Sequence, residues 1–298
     1  STLVDLAKWR QGIGYVPLTI KDGVRVSAAT AFLAPIRGRA NLTILSRTQV
    51  RRIRFEGQRA VGVCCLRKGR ELQFDARREV IVSAGAIQTP QLLQLSGVGP
   101  GAHLHALGIP VIQDLPGVGA NLREHHMLTM QFRINRPLSL NREFSGWRLV
   151  KNLVRYLATH KGVMASGSHD VLGFFRTRPD LTRPDAELVM APFSLRSGTE
   201  MAFEREHGIQ FFGYQLRPES AGSVRIRSAN PATDPQIRPN VLSAEIARQT
   251  SADIARMDTV INQIDLESQA PARINQASQP VVPLTPGYGK RIQLIILA

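Results

Sequence analysis

Short runs in which apolar and polar positions alternate dominate the first eighty residues, as strands with one wet face require. Four of them, Leu42 to Leu45, Val50 to Phe55, Ala60 to Leu66 and Glu71 to Ala76, are separated in part by Glu56-Gly57 and Lys68-Gly69, which predicts an antiparallel meander. Arg51, Arg52 and Arg54 interleave with Ile53 and Phe55 and are expected on the solvated face. Glu79 to Ser83 differs in kind. Its core, Val80-Ile81-Val82, is continuously apolar and predicts a central strand covered on both faces. Ala84-Gly85-Ala86 then turns the chain. A helix is expected from Thr89 as N-cap and Pro90 at the first helical position, with Leu92, Leu93 and Leu95 inward and Gly97 as its left-handed end.

A second short helix, Ala102 to Leu107, closes at Gly108 and leads into an extended Ile109 to Ile112 and the turn Pro116-Gly117-Val118-Gly119. Past Asn121 the pattern changes. Leu149, Val150, Leu153, Val154 and Leu157 recur at helical spacing, whereas Glu187 to Pro192, Ile209 to Leu216 and Ser223 to Ser228 read as strands of a broad sheet. A boundary near residue 124 divides an expected domain of residues 1–124 from one of residues 125–242, followed by an atypical tail of residues 243–298. In that tail Ile254, Met257, Ile261 and Ile264 share a helical face, and Ala270 to Pro286 has no periodicity. Ile292 to Leu297 reads as a strand that either finds an upstream partner or is an aggregation hazard. This mixture of elements predicts an α/β or α+β protein.

Composition narrows the picture. The net charge of +15 is large enough to attract polyanions or acidic membranes, but aromatic residues are only 6% of the chain and offer no stacking platform, so a nucleic-acid partner is not expected. Cys64 and Cys65 are neighbours on one strand and point to opposite faces, which argues against a disulfide framework and for a reducing, cytoplasmic setting. The run Ile292 to Ala298 falls far short of the roughly 20 apolar residues that span a bilayer. The pairs His103 and His105, and His125 and His126, lack acidic or cysteine companions at metal-binding spacing, so no metal is expected. Ser166-Gly167-Ser168-His169-Asp170 sets a serine, a histidine and an aspartate side by side, whereas a triad needs them to converge from separate elements.

The stretch Gly85-Ala86-Ile87-Gln88-Thr89-Pro90-Gln91-Leu92-Leu93-Gln94-Leu95-Ser96-Gly97-Val98-Gly99 resembles the second signature of the glucose-methanol-choline (GMC) oxidoreductases along its whole length. Ser27 to Leu33, Asn41 to Leu45, Gly117 to His125 and Arg217 to Val224 resemble further segments of that family, in family order. The likeness runs from about residue 12 to 242 and is strongest to choline-dehydrogenase-like bacterial members. It implies a partial FAD-binding domain interleaved with an antiparallel-sheet substrate domain. The chemistry it implies is hydride transfer from an alcohol CH–OH to the flavin, with a small-molecule alcohol as the partner.

The resemblance also places residues. Val50 matches a position whose backbone contacts adenine, Ser83, Ala84 and Gly85 match the strand end over the adenosine half, and Asn121 and His125 match an element near the cofactor lid, with Glu124 where the family usually has aspartate. Gly12-Ile13-Gly14 matches an internal Gly-x-Gly-Tyr element rather than a phosphate loop. Every histidine precedes residue 208, so the family's C-terminal histidine base has no counterpart and no residue of the chain is assigned a catalytic role. The expectation is an incomplete chain of such an enzyme. Its alternative is a non-catalytic remnant that at most binds nucleotide or a partner chain.

Overall fold

The structure is a computed structural model that describes residues 11–196, 202–263 and 294–297. In chain order the strands before the first helix are β1 (Gly12–Tyr15), β2 (Ile20–Lys21), β3 (Val24–Arg25), β4 (Leu42–Leu45), β5 (Thr48–Glu56), β6 (Arg59–Arg67) and β7 (Arg70–Asp75). Helix α1 (Gly85–Leu95), β8 (Val98–Gly99), α2 (Gly101–Ala106), β9 (Gln113–Asp114), β10 (Ala120–Leu122) and β11 (Leu128–Arg133) follow. Then come α3 (Gly146–Thr159), β12 (Val171–Phe175), β13 (Ala186–Ala191), β14 (Gly208–Gln215), β15 (Gly222–Arg225), β16 (Gln236–Arg238), α4 (Glu245–Gln263) and β17 (Leu294–Leu297). They form two compact units. One gathers the residues up to Ala31, His125–Glu219 and the segment from Ala244; the other holds Phe32–Glu124, Ser220–Ser243 and β17.

The first unit is built on a five-stranded antiparallel sheet in the order β1-β12-β13-β14-β11. Cross-strand register sets Met130 opposite Phe211 and Leu128 opposite Gly213, so these residues share one face with Leu188 and Ala186. Helix α4 covers that face. Its Ala247, Thr250 and Ile254 are buried at helical spacing, and Ile254 enters a core with Met130, Phe132 and Ala186. Gly213 is what admits it, because a Cβ there would collide with Ile254 Cγ2. Of the apolar face expected for this helix, Ile264 and the side chains of Met257 and Ile261 lie outside the described residues. Gly12-Ile13-Gly14 forms most of an edge strand, β1.

The second unit contains the expected meander as the sheet β5-β6-β7. Gly57 and Gly69 turn it at positive φ. Leu42 to Leu45 does not join it. As β4 it pairs instead with β17, so of the two outcomes expected for the C-terminal apolar run, an upstream partner is the one found. The even alternation expected on β5 is also interrupted. Register shifts between Val50 and Arg52, and this bulge lets Val50 and Ile53, three positions apart, both enter the core with Val63, Cys65 and Leu92. Arg51 is free to reach Glu71 at 3.1 Å, and Arg54 pairs with Asp75. Ser223 to Ser228 likewise leaves the broad sheet: β15 lies between β10 and β16 in a separate three-stranded sheet.

Two expectations around α1 are corrected. Residues 79–84 are not a strand, and Ile81 is 66% exposed while Val80 and Val82 pack on the meander core. A continuous apolar run can be buried on both faces only if a second layer covers it, and among the described residues no strand pairs with it. Helix α1 begins at Gly85 rather than Thr89, with Pro90 inside it. Only the single bond from residue 90 to the carbonyl of Ala86 is forfeited, because the first four amides of a helix have no intrahelical partner. At its other end Gly97 is left-handed, φ +86°, as expected. Gln94, fully buried, donates to the Val224 carbonyl at 3.1 Å and accepts from the Ile226 amide at 3.3 Å, tying α1 to β15. Gln94→Leu therefore strands two buried backbone groups and should lower stability by about 2–3 kcal/mol in denaturant melts.

Candidate functional site

In the second unit, the segment 79–84, without regular secondary structure, delivers the chain to α1 through Ser83, Ala84 and Gly85. Gly85 has φ +88°, a conformation glycine alone adopts without strain. No described atom beyond its own neighbours lies within 4 Å of where its Cβ would stand, so open space adjoins the backbone at this turn. Ala84 occupies the N-cap and supplies no side-chain hydrogen bond, and the first turn carries no acidic residue. The leading amides of α1 are thus left to whatever ligand or water reaches them, and the helix dipole favours an electron-rich one. Val50, 4% exposed, anchors its side chain in the same core as Leu92 of α1 while its backbone sits at the β5 bulge. Val50 and the Ser83–Gly85 turn therefore belong to one packed body, joined through Val80, Val82 and Leu92.

Asn121 is also in this unit, on β10, exposed and left-handed at φ +57°. Asparagine tolerates that conformation better than most residues. Two residues before it, Gly119 has φ +72°, and a side chain there would strike the Val224 carbonyl, so the turn lies tightly against β15.

His125 lies in the other unit. Its ring stacks on Tyr214 with centroids 4.6 Å apart, and its Nε2 stands 3.2 Å from the Leu216 carbonyl oxygen. Tyr214 is directly across from Glu187 in the β13–β14 register. The two side chains are hydrogen-bonded on the sheet face opposite α4, next to Phe212 and Val189. Burial pushes the Glu187 carboxyl above its ordinary range, opposed by the Tyr214 hydrogen bond and by His125. The Tyr214 phenol is raised too, by burial first and then by Glu187. His169 meets Phe212 edge-on at 5.2 Å and has Ser168 Oγ 2.8 Å from its Nδ1; burial lowers its pKa, against the pull of Asp170. This sheet face collects a carboxyl, a phenol and two imidazoles, groups that can hold or pass protons.

Sequence reading named His125 only as a residue near the cofactor lid and met His169 only in a rejected triad, and it missed Tyr214 and Glu187. The only signal was a glutamate at an inward-alternating position of an apolar strand, and the register that pairs it with Tyr214 is a long-range property. Among the described residues no cluster of three or more His, Cys, Asp and Glu could hold a metal, and no helix is long and apolar enough to cross a membrane. His103 is engaged with the Ile226 carbonyl at 2.9 Å. Cys64 and Cys65 are free thiols, and burial, with Cys64 beside it, pushes Cys65 up to about 11.

Glu187 yields a pH prediction. Its folded-state pKa is raised, so its contribution to stability is full below the ordinary value of 4.5 and is lost as pH rises through the folded value. Glu187→Gln keeps a partner for Tyr214 and removes that loss. The variant should gain stability relative to the parent as pH goes from 4 to 7, measured as denaturant midpoints at both ends.

Comparison with known proteins gives the family and the fold. Residues 5–127 match the family model of the GMC oxidoreductases. The oxygen-dependent choline dehydrogenase of Burkholderia ambifaria (strain MC40-6) is 37% identical over 248 residues, 83% of this chain and 44% of the relative. The mitochondrial choline dehydrogenase of Homo sapiens is 38% identical over 236 residues, 79% of this chain and 40% of the relative. The chain belongs to the GMC oxidoreductase family, and it spans less than half the length of these relatives. Among solved structures, an FAD-dependent oxidoreductase from Chaetomium thermophilum aligns with a TM-score of 0.76 at 23% identity, covering 88% of this chain and 52% of that one. A formate oxidase aligns at 0.74 and 24% identity, covering 82% and 47%. At such identities the likeness establishes the fold: mixed α/β, with the antiparallel sheets of this oxidoreductase family.

Proposed function

We propose that this chain is part of an FAD-dependent oxidoreductase acting on CH–OH groups of small alcohols, choline-like ones by the names of its relatives. The observation that carries the reading is the open, side-chain-free turn at Gly85, set at the uncapped start of α1 and packed on the bulged strand at Val50. These features fit a nucleotide. The backbone amide and carbonyl at Val50 would read the adenine edge, and Ser83, Ala84 and Gly85 would let the adenosine half approach without an intervening side chain. Asn121 would hold a left-handed turn near the cofactor. When bound, FAD supplies the acceptor for the hydride.

In this reading Phe32–Glu124 and Ser220–Ser243 are FAD-binding, the residues up to Ala31 of the expected 1–124 domain packing instead with the other unit, and His125–Glu219 carries the substrate side, where Glu187, Tyr214, His125 and His169 orient the alcohol or hold its proton. Two adjacent free thiols fit a cytoplasmic setting.

A second reading is a chain that binds nucleotide without turnover, for which the open turn at Gly85 is enough. The test is to purify the chain with added FAD, record its flavin spectrum and follow dye reduction with choline and simple primary alcohols. A yellow chain that reduces dye supports the enzyme, a yellow chain that does not supports the second reading, and a colourless one contradicts both.

A further inference from the structure

Helix α3 is built inside out. Its one buried residue is a polar one, Asn152, which donates to the Glu143 carbonyl at 3.0 Å and to its carboxylate at 2.9 Å. The apolar stripe, Trp147, Val150, Val154 and Leu157, faces solvent, with Trp147 77%, Val154 61% and Leu157 68% exposed. Leu149 and Leu153 widen it. Six residues of aligned apolar surface on a helix about 21 Å long is more than a soluble surface usually leaves bare.

The charges on the helix are all of one sign. From Ser145 to His169 the sequence has no acidic residue, while Arg148, Lys151, Arg155 and Lys161 lie on or just after α3. Arg148 is paired with Glu143 at 3.1 Å, and Lys151, Arg155 and Lys161 have no acidic partner among the described residues. Lys151 borders the apolar stripe one turn from Trp147. The chain as a whole carries +15.

We propose that α3 lies flat on an anionic lipid surface, its Trp147–Leu157 stripe sunk into the headgroup and acyl boundary and Lys151, Arg155 and Lys161 against the lipid phosphates. A helix with a strong apolar face, a basic polar face and low net hydrophobicity has the composition of an interfacial helix. It is too short to span, at about 21 Å against a hydrocarbon core of about 30 Å. A protein partner would favour the same apolar stripe but would be less well served by the unpaired lysines, which protein interfaces avoid at their centres. Basic residues near an anionic surface each strengthen binding about fivefold.

The test is flotation of the full chain with vesicles of phosphatidylglycerol and phosphatidylcholine, against vesicles of phosphatidylcholine alone. A Trp9→Phe background leaves Trp147 as the only tryptophan, since the chain has two. The expected result is binding at least tenfold stronger to the anionic vesicles, weakened by salt, with a blue shift of Trp147 emission. Val154→Glu with Leu157→Glu should abolish both signals. Lys151→Glu with Arg155→Glu should cut binding on the order of a hundredfold, and because both positions are already solvated this variant tests the proposal even if the first pair fails to fold. Three results would overturn it: no preference for the anionic vesicles, binding that survives both variants, or Trp147 already shielded from acrylamide in buffer because a second copy or another segment covers the stripe.

Discussion

Gly85→Val should weaken FAD binding by on the order of a hundredfold, close to 2.7 kcal/mol at 25 °C. Two effects act together. Valine at φ +88° is forced into a region that costs a β-branched residue about 1–3 kcal/mol. Its side chain would also grow from a Cβ position that has no described atom beyond its own neighbours within 4 Å, the space assigned to the nucleotide. Gly85→Ala separates the two, because alanine brings part of the strain and little of the bulk. Its loss should be several times smaller. Flavin fluorescence titration of parent, alanine and valine chains reads all three, and equal affinities would remove Gly85 from the site.

Ile254→Ala should cost about 2–5 kcal/mol, the largest stability effect among the described side chains of α4. Ile254 is fully buried against Met130, Phe132 and Ala186, and its Cγ2 fills the place of the Cβ that Gly213 lacks. The pair makes a sharper prediction than either residue. Gly213→Ala alone overpacks the sheet and should cost about 1–3 kcal/mol. In the double variant the new methyl enters the cavity left by isoleucine, so the combined loss should fall below the sum of the singles by at least about 0.5 kcal/mol. Additive losses in urea melts would mean that α4 does not seat on β14 in this register.

How far these features could be read in advance depended on their range in sequence. The meander was legible because its turns are local: Gly57 and Gly69 announce themselves by residue type and adopt positive φ as expected. Its phase was not, since the bulge at Val50 and Arg52 is a cross-strand event that alternation cannot reveal. The proline in α1 misled in an instructive way. Pro90 suits a first helical position, yet a helix that starts at Gly85 forfeits only one bond to accommodate it. Residues 79–84 show what an apolar run cannot say. Val80 and Val82 find a core, whereas Ile81 waits on a layer the run itself does not name. At the candidate site, Val50, Gly85 and Asn121 were visible through resemblance and conformational demand, while Tyr214 and Glu187 needed the register of β13 against β14.

A nucleotide lying against Val50 and the turn into α1 is the contact on which the proposed function rests. Amide hydrogen exchange of the full chain with and without FAD tests that contact by place rather than by strength. Slowed exchange confined to Val50–Ile53, Gly85–Gln88 and the Asn121 turn is the predicted outcome. FAD binding that leaves those amides unchanged, or protects another part of the chain instead, would contradict it.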